Sequence, residues 1–72
     1  MNFRRQLSAS YTKQGDILWI EADPAGSLEA YRQALALNQR LAEELPDDLE
    51  IRFELAMSYQ NVGYVLGAFV GF

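Results

Sequence analysis

Arg4-Arg5-Gln6-Leu7-Ser8-Ala9-Ser10-Tyr11-Thr12-Lys13-Gln14-Gly15-Asp16-Ile17-Leu18 returns 48 residues later as Arg52-Phe53-Glu54-Leu55-Ala56-Met57-Ser58-Tyr59-Gln60-Asn61-Val62-Gly63-Tyr64-Val65-Leu66. Six of the 15 aligned positions are identical (Arg, Leu, Ser, Tyr, Gly and Leu), and others are similar, such as Ile17 with Val65. Self-similarity at this period is the mark of a helical solenoid, in which one supersecondary unit cannot bury its apolar face alone. On this reading the chain holds one full unit and the opening of a second. Solenoids recognise other proteins and rarely carry out chemistry, so the repeat already bears on function.

The side-chain inventory narrows the choice further. Seventy-two residues make one small domain, 1–72, whose core is marginal without a staple or a partner. There is no cysteine, which excludes disulfides, thiolate metal sites and cysteine nucleophiles. There is no histidine, which removes the usual general base at neutral pH and the commonest metal ligand. Ser8 and Ser10 have no base near them in sequence. No catalytic residue, metal site or cofactor is expected, and the chain is not read as an enzyme. A net charge of −4 disfavours nucleic-acid binding, which needs basic surface to displace counterions. The acid is concentrated in Glu43, Glu44, Asp47, Asp48, Glu50 and Glu54, a stretch read as a solvated face. The alternating pattern of a calcium loop is absent from it.

Helical periodicity runs through the whole chain. Leu7, Tyr11, Gly15 and Leu18 share one stripe of a first helix, expected over 3–21. Asp23-Pro24 has the chemistry of a helix start, an aspartate cap followed by proline at the first helical position. Leu28, Tyr31, Ala34, Leu35, Leu41 and Leu45 mark the inner face of a second helix over 24–45, a rod of about 33 Å. Pro46 ends it. Asp47, with Glu50 at capping-box spacing, is the expected cap of a third helix over 48–67, with Leu55, Tyr59, Val62 and Leu66 on its inner face. Gly67 and Gly71 should weaken the helix and leave 68–72 as an apolar tail. No strand pattern appears. Gly15 on the first helix, and Ser27 and Ala34 on the second, let the two approach closely. Tyr11, Tyr31 and Tyr59 read as core.

These residues resemble the tetratricopeptide repeat. The first helix of that motif carries an aromatic residue, then Leu-Gly, then a large apolar residue, matched here by Tyr11, Gln14-Gly15 and Leu18. The second carries Ala, an aromatic and Ala, matched by Ser27, Tyr31 and Ala34. The next repeat opens with Tyr59, Val62-Gly63 and Leu66. The chain departs from the family at Gln14, at Ala22 where glycine is common in the turn, and in a second helix that stretches the repeat to 48 residues from the usual ~34. This looks like an extended variant of bacterial arrays.

The resemblance implies a three-helix, all-α fragment of a right-handed tetratricopeptide-like solenoid that binds a protein or peptide. It places a concave face on Ala9, Thr12, Asp16 and Trp19 of the first helix and on Met57, Gln60, Asn61 and Tyr64 of the third. Trp19, an aromatic off the core stripe, is read either as a binding anchor or as packing against the helix end. Asn61 matches a position with which some members grip a terminal carboxylate, but Asp16 would repel one, so that specificity is not expected.

Two further expectations concern association. Phe53, Val62, Val65, Leu66, Phe69, Val70 and Phe72 should form an apolar patch, with Ile17 and Ile20 also uncovered, so a homodimer or higher oligomer through the third helix is expected. Glycines 63, 67 and 71 have the spacing of close-packed membrane helices. The uncharged apolar run from Val62 covers only 11 residues, against the ~20 a span requires. A cytoplasmic location is therefore expected. The alternatives are a small membrane-associated or tail-anchored helical protein, or a truncated repeat array without independent function.

Overall fold

The structure, a computed structural model, describes residues 3–70. It is all-α: α1 (Phe3–Ile20), α2 (Pro24–Glu44) and α3 (Leu49–Val70), with no strand among the described residues. Contacts between α1 and α2 pair low numbers with high. Arg4 reaches Glu44, Ser8 reaches Asn38, and Gly15 meets Ser27, so the two helices run antiparallel. Arg5 pairs with Glu50 and Glu54, and fourteen residues on Trp19 touches Tyr64, so α1 and α3 run parallel. Both pack against α2.

Each connection has a local cause. At the end of α1 the Asp23 amide donates to the Leu18 carbonyl and the Ala22 amide to the Trp19 carbonyl, the paired bonds of a Schellman turn. Such a turn places its hinge residue in the left-handed region, and Ala22 sits there at φ 61°. Asp23 then caps α2, its Oδ1 accepting from the Gly26 amide at 3.0 Å, with Pro24 opening the helix. At α3 the expectation of Asp47 is corrected. Asp48 caps this helix, its Oδ1 accepting from the Ile51 amide at 3.1 Å, because α3 starts at Leu49 rather than residue 48.

The close approach of α1 and α2 is centred on Gly15. Ser27 Oγ donates to the Gly15 carbonyl at 2.8 Å, and the Tyr31 ring lies over the glycine. A Cβ built on Gly15 would stand 2.6 Å from two ring carbons of Tyr31. Tyr31 is buried, and its hydroxyl donates to Asp16 Oδ1, so the ring cannot easily step aside. The buried line of α2 is Ser27, Tyr31, Ala34, Asn38 and Leu41. Leu45, expected on it, is largely exposed, since the helix has ended before it.

The third helix differs most from expectation. It continues to Val70, so Ala68, Phe69 and Val70 are helical rather than tail; residues 71 and 72, including Phe72 of the expected patch, lie outside the described residues. Its buried apolar and hydroxyl line is Ile51, Ser58 and Val65. Tyr59, expected in the core, is 53% exposed, with its hydroxyl accepting from Gln39 Nε2 at 2.8 Å. Val65, expected on the surface patch, is 0% exposed. Leu66 is exposed, and Leu55 and Val62 are half-buried. The reason is rotational. α3 meets α2 with nearly the opposite side from the one α1 uses, so equivalent positions of the repeat have opposite surroundings. Among the described residues no helix is long and apolar enough to cross a membrane.

Two substitutions test this packing. Gly15→Ala should lower stability by about 1 kcal/mol in urea denaturation. Overpacking of ~1–3 kcal/mol outweighs the ~1 kcal/mol that alanine gains in helix propensity. An unchanged or raised midpoint would contradict the close approach. Ala22→Gly should act the other way, raising stability by about 0.5–1 kcal/mol as the left-handed strain is relieved. A lowered thermal midpoint would show that no strain resides there.

Candidate functional site

Because α1 and α3 lie side by side on α2, they leave a groove of about 340 Å³ between them. Its walls are Ala9, Thr12, Lys13 and Asp16 from α1, and Glu54, Met57 and Asn61 from α3. Ser8, Asn38 and Ser58, one residue from each helix, also line it. These three are buried, and they form a chain. Ser8 Oγ donates to Asn38 Oδ1 at 2.7 Å, and Asn38 Nδ2 donates to Ser58 Oγ at 2.7 Å. Secondary contacts run from Ser8 Oγ to the Ala34 carbonyl at 3.4 Å and from Asn38 Nδ2 to the Glu54 carbonyl at 3.5 Å. No buried side-chain polar atom lacks a partner among the described residues. A satisfied network of this kind fixes relative helix positions, since sliding any helix would strand a buried polar group.

The two ends of the groove differ. At one, Arg5 pairs with Glu50 and with Glu54 at 3.4 Å, and Arg4 pairs with Glu44. The carboxylates of Glu54 and Glu50 raise the Arg5 pKa and hold the guanidinium charged. Part of the acidic stretch read as a solvated face is thus turned toward α1. These pairs are exposed and should contribute little to stability. Among the described residues no group of three or more acidic side chains is placed to hold a metal ion. At the other end Trp19 and Tyr64 meet edge to face, with ring centroids 5.2 Å apart and planes at 68°. Beside them lies a second depression of about 310 Å³ lined by Trp19, Gly63, Tyr64, Gly67 and Ala68.

Of the residues expected on the concave face, Ala9, Thr12, Asp16, Met57 and Asn61 line this one groove, and Trp19 and Tyr64 pair beyond it. Gln60 is exposed and lies outside the lining. The Thr12 hydroxyl donates back to the Ser8 carbonyl at 3.1 Å, so its methyl is the more available feature. Asp16 accepts from Tyr31 through one oxygen. The expected concave face left out Ser8, Lys13, Asn38, Glu54 and Ser58. Asn38 had a signal: it stands seven residues after Tyr31 on the stripe of Ala34 and Leu41, a polar residue at a core position. The chain matches no protein family model, no curated protein and no solved structure.

Burial, followed by the hydrogen bond to Asp16 and its negative charge, pushes the Tyr31 phenol up to about 12 from its ordinary 10. The unfolded chain therefore releases this proton first as pH rises. The stabilisation is complete below pH 10 and is lost as pH climbs toward 12. In a tyrosinate absorbance titration of the folded protein, Tyr31 should ionise near pH 12, and Tyr31→Phe should remove that step. A Tyr31→Phe curve that matches the parent's near pH 12 would contradict the Tyr31–Asp16 contact.

Proposed function

We propose that this chain is a tetratricopeptide-like helical-repeat module that binds a segment of a partner protein, without bond chemistry. The segment lies along the groove between α1 and α3, and the Trp19–Tyr64 end provides the aromatic anchor. The observation that carries this reading is convergence. Residues picked on the first helix and on the third, among them Ala9 and Met57 at aligned positions 48 apart, line one groove on parallel helices. The close α1–α2 pairing through Gly15, Ser27 and Tyr31 supports the resemblance to helix-pair repeats. Short apolar contacts from Ala9 and Met57, with polar groups on Lys13, Asp16 and Asn61, suit a peptide whose side chains and main chain are both read.

Trp19 is the only tryptophan, so binding beside it has its own optical reporter. Peptides selected from a randomised display library on the purified protein should shift its emission when titrated. Trp19→Ala, Tyr64→Ala and Asn61→Ala should each weaken those peptides by about tenfold or more while circular dichroism stays unchanged, as expected for residues worth ~1–2 kcal/mol at an interface. Selected peptides that bind all three variants as tightly as the parent would contradict the assignment. Loss of helicity in Trp19→Ala would make Trp19 a core residue.

A further inference from the structure

The 48-residue repeat gives α1 and α3 the same face, but only one copy of it is covered. On α1 the face is Ser8, Tyr11, Gly15 and Leu18, with Ser8 and Gly15 buried against α2 and Tyr31 seated over Gly15. The equivalent residues on α3 are Ala56, Tyr59, Gly63 and Leu66, all exposed. Val70, exposed as well, continues the line, so that spacings of three and four alternate from 56 to 70. A Cβ built on Gly63 meets nothing within 4 Å among the described residues. A glycine in the middle of an exposed helix costs about 1 kcal/mol against alanine and here gains no contact within the chain. Its counterpart Gly15 shows what such a glycine permits, the seating of a bulky side chain from an antiparallel helix.

The geometry points to a second copy of this chain as the occupant, with the two α3 helices antiparallel about a two-fold axis. The face is self-complementary in that arrangement. Setting Leu66 of each copy over Gly63 of the other also brings Tyr59 opposite Val70, giving four layers that pair large residues with small or medium ones. Charge agrees with self-pairing. No Asp, Glu, Lys or Arg occurs from Leu55 to Val70, while Glu50, Arg52 and Glu54 fall beyond the paired stretch, so the net charge of −4 on each copy is held away from the contact. A single helix pair of about 18 Å is a small interface, which places association in the micromolar to millimolar range. The proposal is independent of the groove between α1 and α3, which stays open.

Sedimentation equilibrium from about 10 µM to about 1 mM tests it, with Gly63→Leu and Leu66→Gln beside the parent chain. The parent should pass from monomer to dimer and stop there. Gly63→Leu should keep or gain helix, because a Cβ there meets no atom within 4 Å, yet should move the transition to a concentration at least about tenfold higher. Leu66→Gln should do the same. A parent that stays monomeric throughout would overturn the pairing, as that face then belongs to a different partner or to none. Growth beyond a dimer, or a Gly63→Leu chain that dimerises as readily as the parent, would overturn it equally.

Discussion

The arrangement of the three helices depends on Asn38. Its carbonyl oxygen accepts from Ser8 on α1 and its amide donates to Ser58 on α3, from a side chain that is 2% exposed. A residue with donor and acceptor at opposite ends can bridge two hydroxyls, and a buried hydroxyl with no partner would cost ~1–3 kcal/mol. An apolar contact at the same place would tolerate sliding, whereas this one does not. The network therefore sets where α1 and α3 sit along α2. It exchanges some apolar burial for register, in a domain whose core is small to begin with.

The groove follows from this constraint. Two parallel helices held on a third leave a cleft along their shared side, and the network that holds them also lines it. The Gly15–Tyr31 contact brings α1 onto α2, while Leu41, Ile51 and Val65 fill the α2–α3 side. The residues left for recognition are those that neither contact uses. They include the short side chains of Ala9 and Thr12, the Trp19–Tyr64 pair and the uncovered Gly63 face.

The three helices were legible because periodicity and punctuation agree. Asp23-Pro24 and Pro46 mark boundaries by backbone chemistry that tertiary packing does not override. Gly15 was legible because a glycine on an apolar stripe has few other uses. The rotation of α3 was not. Aligning Tyr59 with Tyr11 implied a shared environment, but repeat equivalence holds for the unit and says nothing of what lies next to it. Tyr11 is half-buried, whereas Tyr59 is exposed with its hydroxyl accepting from Gln39. Val65 and Ile17 show the converse, one buried and the other half exposed at aligned positions. The helical course of Ala68 to Val70 was missed because Gly67 was read as a stop, although a single glycine costs a helix only about 1 kcal/mol. Of the groove, Ala9, Thr12, Asp16, Met57 and Asn61 were legible through the family resemblance, and Lys13 and Glu54 were not. The polar residues that line it between them were not, since Ser8 and Ser58 carry no helical signal that separates them from surface serines such as Ser10.

The central claim is that one buried asparagine fixes the separation of α1 and α3, and it can be read as a distance. The chain has no cysteine, so spin labels can be placed at the exposed Lys13 and Gln60 alone, one on each side of the groove. Electron–electron double resonance at low concentration, diluted with unlabelled chain, reports the separation of those labels within one molecule. The account predicts a single narrow distribution in the parent chain and a markedly broader or shifted one in Asn38→Ala, with helix content retained. A broad distribution in the parent, or an unchanged narrow one in Asn38→Ala, would contradict it.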